Sequence, residues 1–167
     1  MAVVFTKSAA LTARDTPGTA QVGGYQVRGS SFNAVGKVEV ANGDSIASIY
    51  RLVTVPSNAR IVRVSLRITG TITTAAGDIG VYKAPAHGGT VVDVDLFATA
   101  QALSSALAVW TDVTNESTTM TATLMEKRLW EAVGLTADPG IDYDIAITLT
   151  AAAGAAGQIT MMVDYVI

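Results

Sequence analysis

A chain of 167 residues fits one domain, and a domain of that length buries roughly two-thirds of its unfolded surface, enough for a core without staples. The sequence holds no cysteine, which excludes a disulfide framework, a thiolate metal site and a cysteine nucleophile. Its net charge of -3 argues against binding nucleic acid through a basic surface.

Charged residues make up 15% of the chain, well below the quarter or so of an ordinary domain, while hydrophobic residues reach 50%. A soluble monomer would carry more charge, so part of this surface is expected to be hidden in an assembly. A membrane span is the competing explanation, but Arg, Asp or Gly interrupts each apolar run before the roughly 18 residues that a spanning helix needs. Residues 2–5 are too few for the apolar part of a signal peptide, and Lys7, Arg14 and Asp15 soon follow.

Residues 1–34 hold Pro17, Gly18, Gly23, Gly24 and Gly29 among small polar residues, with Phe5, Leu11, Tyr25 and Phe32 scattered without a period. Such a stretch buries little of itself. It reads as an extended arm, with a short edge strand at 24–28, ordered by packing on its own domain or on neighbours; a plain flexible terminus is the alternative. The domain proper is expected over 35–167. In 35–41, Val38 and Val40 alternate with Lys37 and Glu39, and Asn42-Gly43-Asp44 supplies turn chemistry. Residues 49–55 are rich in β-branched and aromatic side chains and lead through Pro56-Ser57-Asn58 into the longest alternation of the chain. There Val62, Val64, Leu66 and Ile68 fall on one face, and Arg63, Ser65, Arg67 and Thr69 on the other. The two runs are predicted to form a hairpin.

Residues 73–78 are small and read as a turn, 79–83 as a strand, and 85–90, with Gly88 and Gly89, as a loop. Val92 and Val94 then alternate with Asp93 and Asp95, after which Leu96, Ala100 and Leu103 in an alanine-rich run predict a short helix over 96–104. A strand at 110–113 and a polar loop at 114–119 follow. The best helical signal spans 121–134, where Leu124, Met125, Leu129, Ala132 and Val133 form one face, Gly134 is a C-cap and Trp130 a core anchor. Asp138-Pro139-Gly140 turns the chain into a strand in which Tyr143, Ile145, Ile147 and Leu149 alternate with Asp144, Ala146 and Thr148. An Ala/Gly turn at 151–157 leads to a last strand with Ile159, Met161, Val163 and Tyr165 on one face. Seven or eight strands at these intervals, without a short repeat, predict an all-β fold: an antiparallel two-sheet sandwich, jelly-roll-like, with one or two short helices in its connections. A half-open barrel is second.

Little in the sequence carries chemistry. His87 is the single histidine, so a Ser-His-Asp triad or a multi-histidine zinc site would have to be built around it, and its place beside Gly88-Gly89 reads as an exposed loop. Asp138, Asp142 and Asp144 are oxygen ligands at short spacing but match no Ca²⁺-binding loop, and turn and surface roles fit them better. Asp93 and Asp95 have the i, i+2 spacing of one solvated strand face. Arg60, Arg63 and Arg67 share a strand without interleaved aromatic residues, which fits a solvated or interface-facing row rather than a phosphate site. Trp110 and Trp130 both read as core, which disfavours a sugar-binding platform. No catalytic, metal or cofactor-binding residue is assigned.

The stretch from Arg128 through Leu129, Trp130, Glu131, Ala132, Val133 and Gly134 to Leu135, then Asp138-Pro139, Tyr143-Asp144-Ile145 and residues 158–166, resembles small virion structural proteins of tailed bacteriophages. Val55-Pro56, Ala59-Arg60-Ile61 and residues 93–103 extend that resemblance, which covers roughly residues 35–166 and is to capsid decoration, or cement, proteins and related head proteins. It implies a non-enzymatic protein that binds the outside of an assembled shell of major capsid protein and stabilises it. The implied location is the capsid surface of a virion assembled in the host cytoplasm. Homo-oligomerisation is implied too, with no cofactor, nucleic acid or membrane as partner. A tail, neck or receptor-binding component of the virion is the alternative. Within the arm, Phe5, Tyr25 and Phe32 are the expected aromatic anchors to partners, and Arg14 and Arg28 the polar ones.

Overall fold

The computed structural model describes residues 12, 16, 29–70, 72–103 and 109–167, and the strand expected at 24–28 lies outside these. Among the described residues the chain forms β1 (Ser31–Val40), β2 (Ile49–Pro56), β3 (Arg60–Thr69), β4 (Ala76–Lys83), β5 (Val91–Ala102), β6 (Thr111–Asp112), β7 (Asp142–Ala151) and β8 (Gly157–Val166). Two one-turn helices, α1 (Ala122–Met125) and α2 (Leu129–Ala132), lie between β6 and β7. The strands make two four-stranded antiparallel sheets, ordered β1-β8-β3-β6 and β2-β7-β4-β5. Of the consecutive strands, only β4 and β5 share a sheet. Every other connection crosses from one sheet to the other, the wiring of a jelly roll.

That wiring overturns the predicted hairpin. β2 pairs with β7 and β3 with β8, so Pro56-Ser57-Asn58 is a crossover between sheets. Alternation reports which face of a strand is buried and is silent on its neighbour. Within β3 the pairing with β8 slips between Ile61 and Arg63, leaving Val62 as a bulge. Ile61, Val64, Leu66 and Ile68 enter the core, whereas Val62 points out and is 40% exposed. The sheet starts at Ser31, ahead of position 35, because β1 runs in register with β8 as far as Ser31 opposite Val166.

The helix expected over 96–104 is strand β5 as far as Ala102. Alanine is the strongest helix former, but intrinsic propensity yields to tertiary pairing, and here the unpaired edge of β4 supplies partners: Ala98 sits opposite Ile79, Gln101 opposite Gly77 and Ala102 opposite Ala76. Between Ala98 and Asp93, which faces Val81, residues 94–97 bulge opposite Gly80 alone. The bulge drives Leu96 and Phe97 fully into the core. Gly80 is required there, since a Cβ would lie 2.1 Å from the Asp93 carbonyl oxygen.

The single helix expected over 121–134 is broken at 126–128. In a continuous helix the amides of Leu129 and Trp130 would donate four residues back; instead they donate to the carbonyls of Ala59 (2.7 Å) and Ser57 (3.1 Å), which docks α2 on the β2–β3 crossover. The Glu131 carboxylate accepts the Arg128 amide at 2.9 Å and closes the start of α2. Gly134 ends it with φ +82°, as expected of a C-cap. Leu129, 1% exposed, is the anchor in place of Trp130, which is half-buried. Trp110 precedes the two-residue edge strand β6 and is 41% exposed, so it is not core either.

The connections sort into two ends. At the turn end, residues 41–48, 70–75 and 152–156 meet: Gly43 and Ala153 exchange hydrogen bonds with Ala153 and Asp44, and the Gly154 amide donates to Thr73. At the crossover end lie 57–59, 84–90 and 113–141, together with the start of β1 and the finish of β8. No helix among the described residues is long and apolar enough to cross a membrane.

Candidate functional site

Exposed apolar side chains lie at both ends, with Ile46, Ile49, Val109 and Trp110 at the turn end and a second group at the crossover end, where β1 begins, β8 finishes and β3 bulges. Phe32 stacks on its cross-strand neighbour Tyr165 with ring centroids 5.4 Å apart and planes 17° apart, yet remains 42% exposed. Val62 projects from the neighbouring bulge, and Ile167, also 42% exposed, is tied to Ser30 by reciprocal backbone hydrogen bonds of 3.3 and 3.2 Å. Of the five expected contact residues only Phe32 falls among the described residues; Phe5, Arg14, Tyr25 and Arg28 lie outside them.

The outer face of the β1-β8-β3-β6 sheet is charged and wet. Asp164 accepts from Arg63 at 2.9 Å and from the Asn33 amide at 2.6 Å, and Lys37 pairs with Glu39 along the strand at 3.2 Å. Such exposed pairs contribute little to stability. Arg63 is thereby engaged, and Arg60 reaches the Met125 carbonyl at 3.4 Å, so the arginine row is partly committed to intramolecular contacts.

The outer face of the other sheet is built differently. Asp144 points away from the core, as its alternation requires, but is buried beneath Arg51. One Asp144 oxygen accepts from the Arg51 guanidinium at 2.9 Å and the other from the Thr54 hydroxyl at 2.6 Å. Arg51 also donates to the carbonyls of Lys83 (2.8 Å) and Gly89 (2.5 Å), and its Cζ sits 5.2 Å from the centre of the Tyr82 ring. The Tyr82 hydroxyl bonds that of Thr148; since Tyr82 pairs with Asp144, its ring crosses the small residues Gly80 and Ala146 to get there. Sequence reading passes over Arg51, Thr54 and Tyr82, for which the one signal is a lone charge inside an apolar strand.

Arg51 thus holds both feet of the 84–90 loop, which carries His87 at its exposed tip on a 3₁₀ turn (Pro85–His87). Gly88 (φ +95°) and Gly89 (φ +63°) turn the chain back in a conformation other residues resist. The remaining acidic candidates are scattered. Asp138 accepts from the Ser57 hydroxyl at 2.5 Å and the Gly140 amide at 2.9 Å, and the Ser57 bond is the main reason its carboxyl lies below the usual range. Burial pushes Tyr143 up, with the Asp138 charge adding to it. Burial likewise raises Asp93, against the Asp95 amide that bonds it, while Asp44 is lowered by the Tyr50 hydroxyl and the Ala41 amide. Among the described residues no three His, Cys, Asp or Glu side chains come together as a metal site would need.

The described residues form an antiparallel β-sandwich with exposed apolar side chains at both ends. No protein-family model and no curated protein sequence matches the chain. A chain in the capsid of Ralstonia phage GP4 aligns with a TM-score of 0.52 at 16% identity, over 83% of this chain and 84% of that one. Chains in the cyanophage Pam1 capsid (TM-score 0.46, 19% identity, 83% and 86% covered) and the acid-stable capsid of Helicobacter pylori bacteriophage KHP30 (0.40, 17%, 83% and 92%) align as well. At these identities the likeness is one of fold.

Proposed function

We propose that this protein is a structural component of a phage virion that binds the outside of the assembled capsid and stabilises it, a decoration or cement protein. The observation that carries the proposal is the whole-domain likeness to the chain in the GP4 capsid. A charge content of 15% and an exposed apolar end at Phe32, Val62 and Ile167 support surface meant for partners rather than for water. The partner is the major capsid protein, together with further copies of this chain, and the role is structural rather than catalytic. Phe32 contributes from the sheet, with Phe5, Tyr25, Arg14 and Arg28 contributing from the segment that precedes it.

The test is to mix the purified protein with expanded shells that lack it, sediment them and count bound copies. Saturation at a fixed icosahedral multiple, with a raised shell melting temperature, is the expected result, because a ligand that binds only the assembled state must stabilise it. Failure to sediment with shells would overturn the proposal, and binding to isolated tails instead would move the protein to the tail or neck.

A further inference from the structure

We propose that the 84–90 loop is a preorganised docking element for an uncharged, apolar patch of the shell surface, and that Arg51 is the residue that positions it. The proposal rests on the shell-binding function above. Apart from His87, no residue from Ala84 to Val91 carries an ionisable side chain, and Pro85, Ala86 and Val91 are exposed, Val91 by 54%. That composition fits an apolar protein surface; the charged outer face of the opposite sheet, with Arg63, Asp164, Lys37 and Glu39, has the contrary character.

The loop is held far more firmly than its exposure requires. Its own backbone closes it: the amides of His87 (2.8 Å) and Gly89 (3.2 Å) both donate to the Ala84 carbonyl. Arg51 then grips the carbonyls at its two feet, Lys83 and Gly89, while pairing with buried Asp144 and stacking on Tyr82. An ion pair whose carboxylate is buried is an inefficient way to stabilise a fold, since well-packed apolar residues do as well. What this pair supplies is a single loop geometry. A loop fixed before binding loses less conformational freedom when it docks, and the saving appears as affinity.

Three variants of the full chain test this against shells that lack it. Ala86→Glu, on the exposed tip, is expected to weaken shell binding at least about tenfold with an unchanged melting temperature, the cost of facing a charge with an apolar surface. Arg51→Met is expected to weaken binding severalfold and to speed amide exchange at His87 and Gly89. Lys37→Glu, on the opposite sheet, is expected to bind as the parent does, and parental binding is expected to change little with salt. Parental binding by Ala86→Glu would overturn the docking element, and parental binding by a folded Arg51→Met would overturn the positioning role. If Arg51→Met fails to fold, Ala86→Glu still decides the docking element, and Arg51→Lys, which keeps the charge but not the two-carbonyl grip, decides the positioning by the same exchange and binding readouts. Failure of the parent protein to bind shells overturns the shell-binding function itself, a result separate from any of these.

Discussion

At the turn end, the connections before β2, before β4 and before β8 are tied to one another largely through backbone atoms; at the crossover end, the 84–90 loop and the 113–141 connection are tied to the sandwich by side chains as well as by backbone bonds. Gly43, Ala153, Asp44, Gly154 and Thr73 are joined by main-chain hydrogen bonds across the turn end, to which the Asp44 carboxylate adds bonds from Ala41 and Tyr50 and the Thr74 hydroxyl one to Ala152. The crossover end instead relies on Arg51 for the 84–90 loop, Ser57 with Asp138 for the 136–140 turn, and Leu129 for the 113–141 connection. Backbone-tied turns hold a fold together, whereas side-chain-tied loops can diverge in shape and composition on the same frame. The crossover end is where the stacked pair Phe32–Tyr165 and the proposed docking loop are found, while Ile46, Ile49, Val109 and Trp110 are exposed at the turn end.

The largest effect is expected where the crossover end depends on one side chain. Leu129→Ala removes the one fully buried residue of α2 and should destabilise the protein by about 2–5 kcal/mol in urea unfolding. A loss below that range would mean that α2 is held by its two backbone bonds to the crossover, and the contrast between the ends would weaken. Next comes the turn end. A Cβ at Gly154 would lie 2.6 Å from the Thr73 hydroxyl and 3.2 Å from the Thr73 carbonyl oxygen, so Gly154→Val should cost about 1–3 kcal/mol by the same measurement while leaving shell binding intact.

Much of the frame was legible because burial in a two-layer sandwich imposes a period of two. Val38 and Val40, the Tyr143–Leu149 alternation and the Ile159–Tyr165 alternation all predict strands that form, and their number predicts the sandwich. What was hidden depends on long-range pairing. The hairpin failed because Val53 and Val55 and the β3 row face one core from opposite sheets, which gives the same alternation as two neighbours in one sheet. The β5 helix failed because the spacing of its alanines carries no trace of the edge that competes for them, the preceding strand β4. Arg51 was hidden for a related reason: its ligands are Asp144, Lys83 and Gly89, each on a different element.

Two carboxylates sharpen the contrast through pH, with opposite signs. Asp138 is held below its ordinary range by the Ser57 hydroxyl. A carboxyl lowered in the folded state contributes stability that is present above the unfolded value near 3.9 and is lost as pH falls through the lower folded value. Ser57→Ala should therefore cost about 0.5–1 kcal/mol at neutral pH, below the usual worth of a bond to a charged group because Asp138 is exposed, and the cost should shrink on acidification below about pH 4. A penalty that persists undiminished in acid would mean that Ser57 acts through packing alone.

Asp93 should show the smallest effect and the reverse sign. Burial raises its carboxyl, against the Asp95 amide that lowers it and with the Asp95 side chain adding to the rise. A carboxyl raised in the folded state ionises more readily in the unfolded chain, so its charge opposes folding above the folded value, and the opposition disappears below the unfolded value near 3.9. Asp93→Asn keeps an oxygen to accept the Asp95 amide and removes the half-buried charge, so it should raise the melting temperature slightly at pH 7 and leave it unchanged at pH 3. A melting temperature lowered at pH 7 would mean that the Asp93 carboxylate is a net support of the β5 bulge, because its bond to the Asp95 amide outweighs the cost of its half-burial.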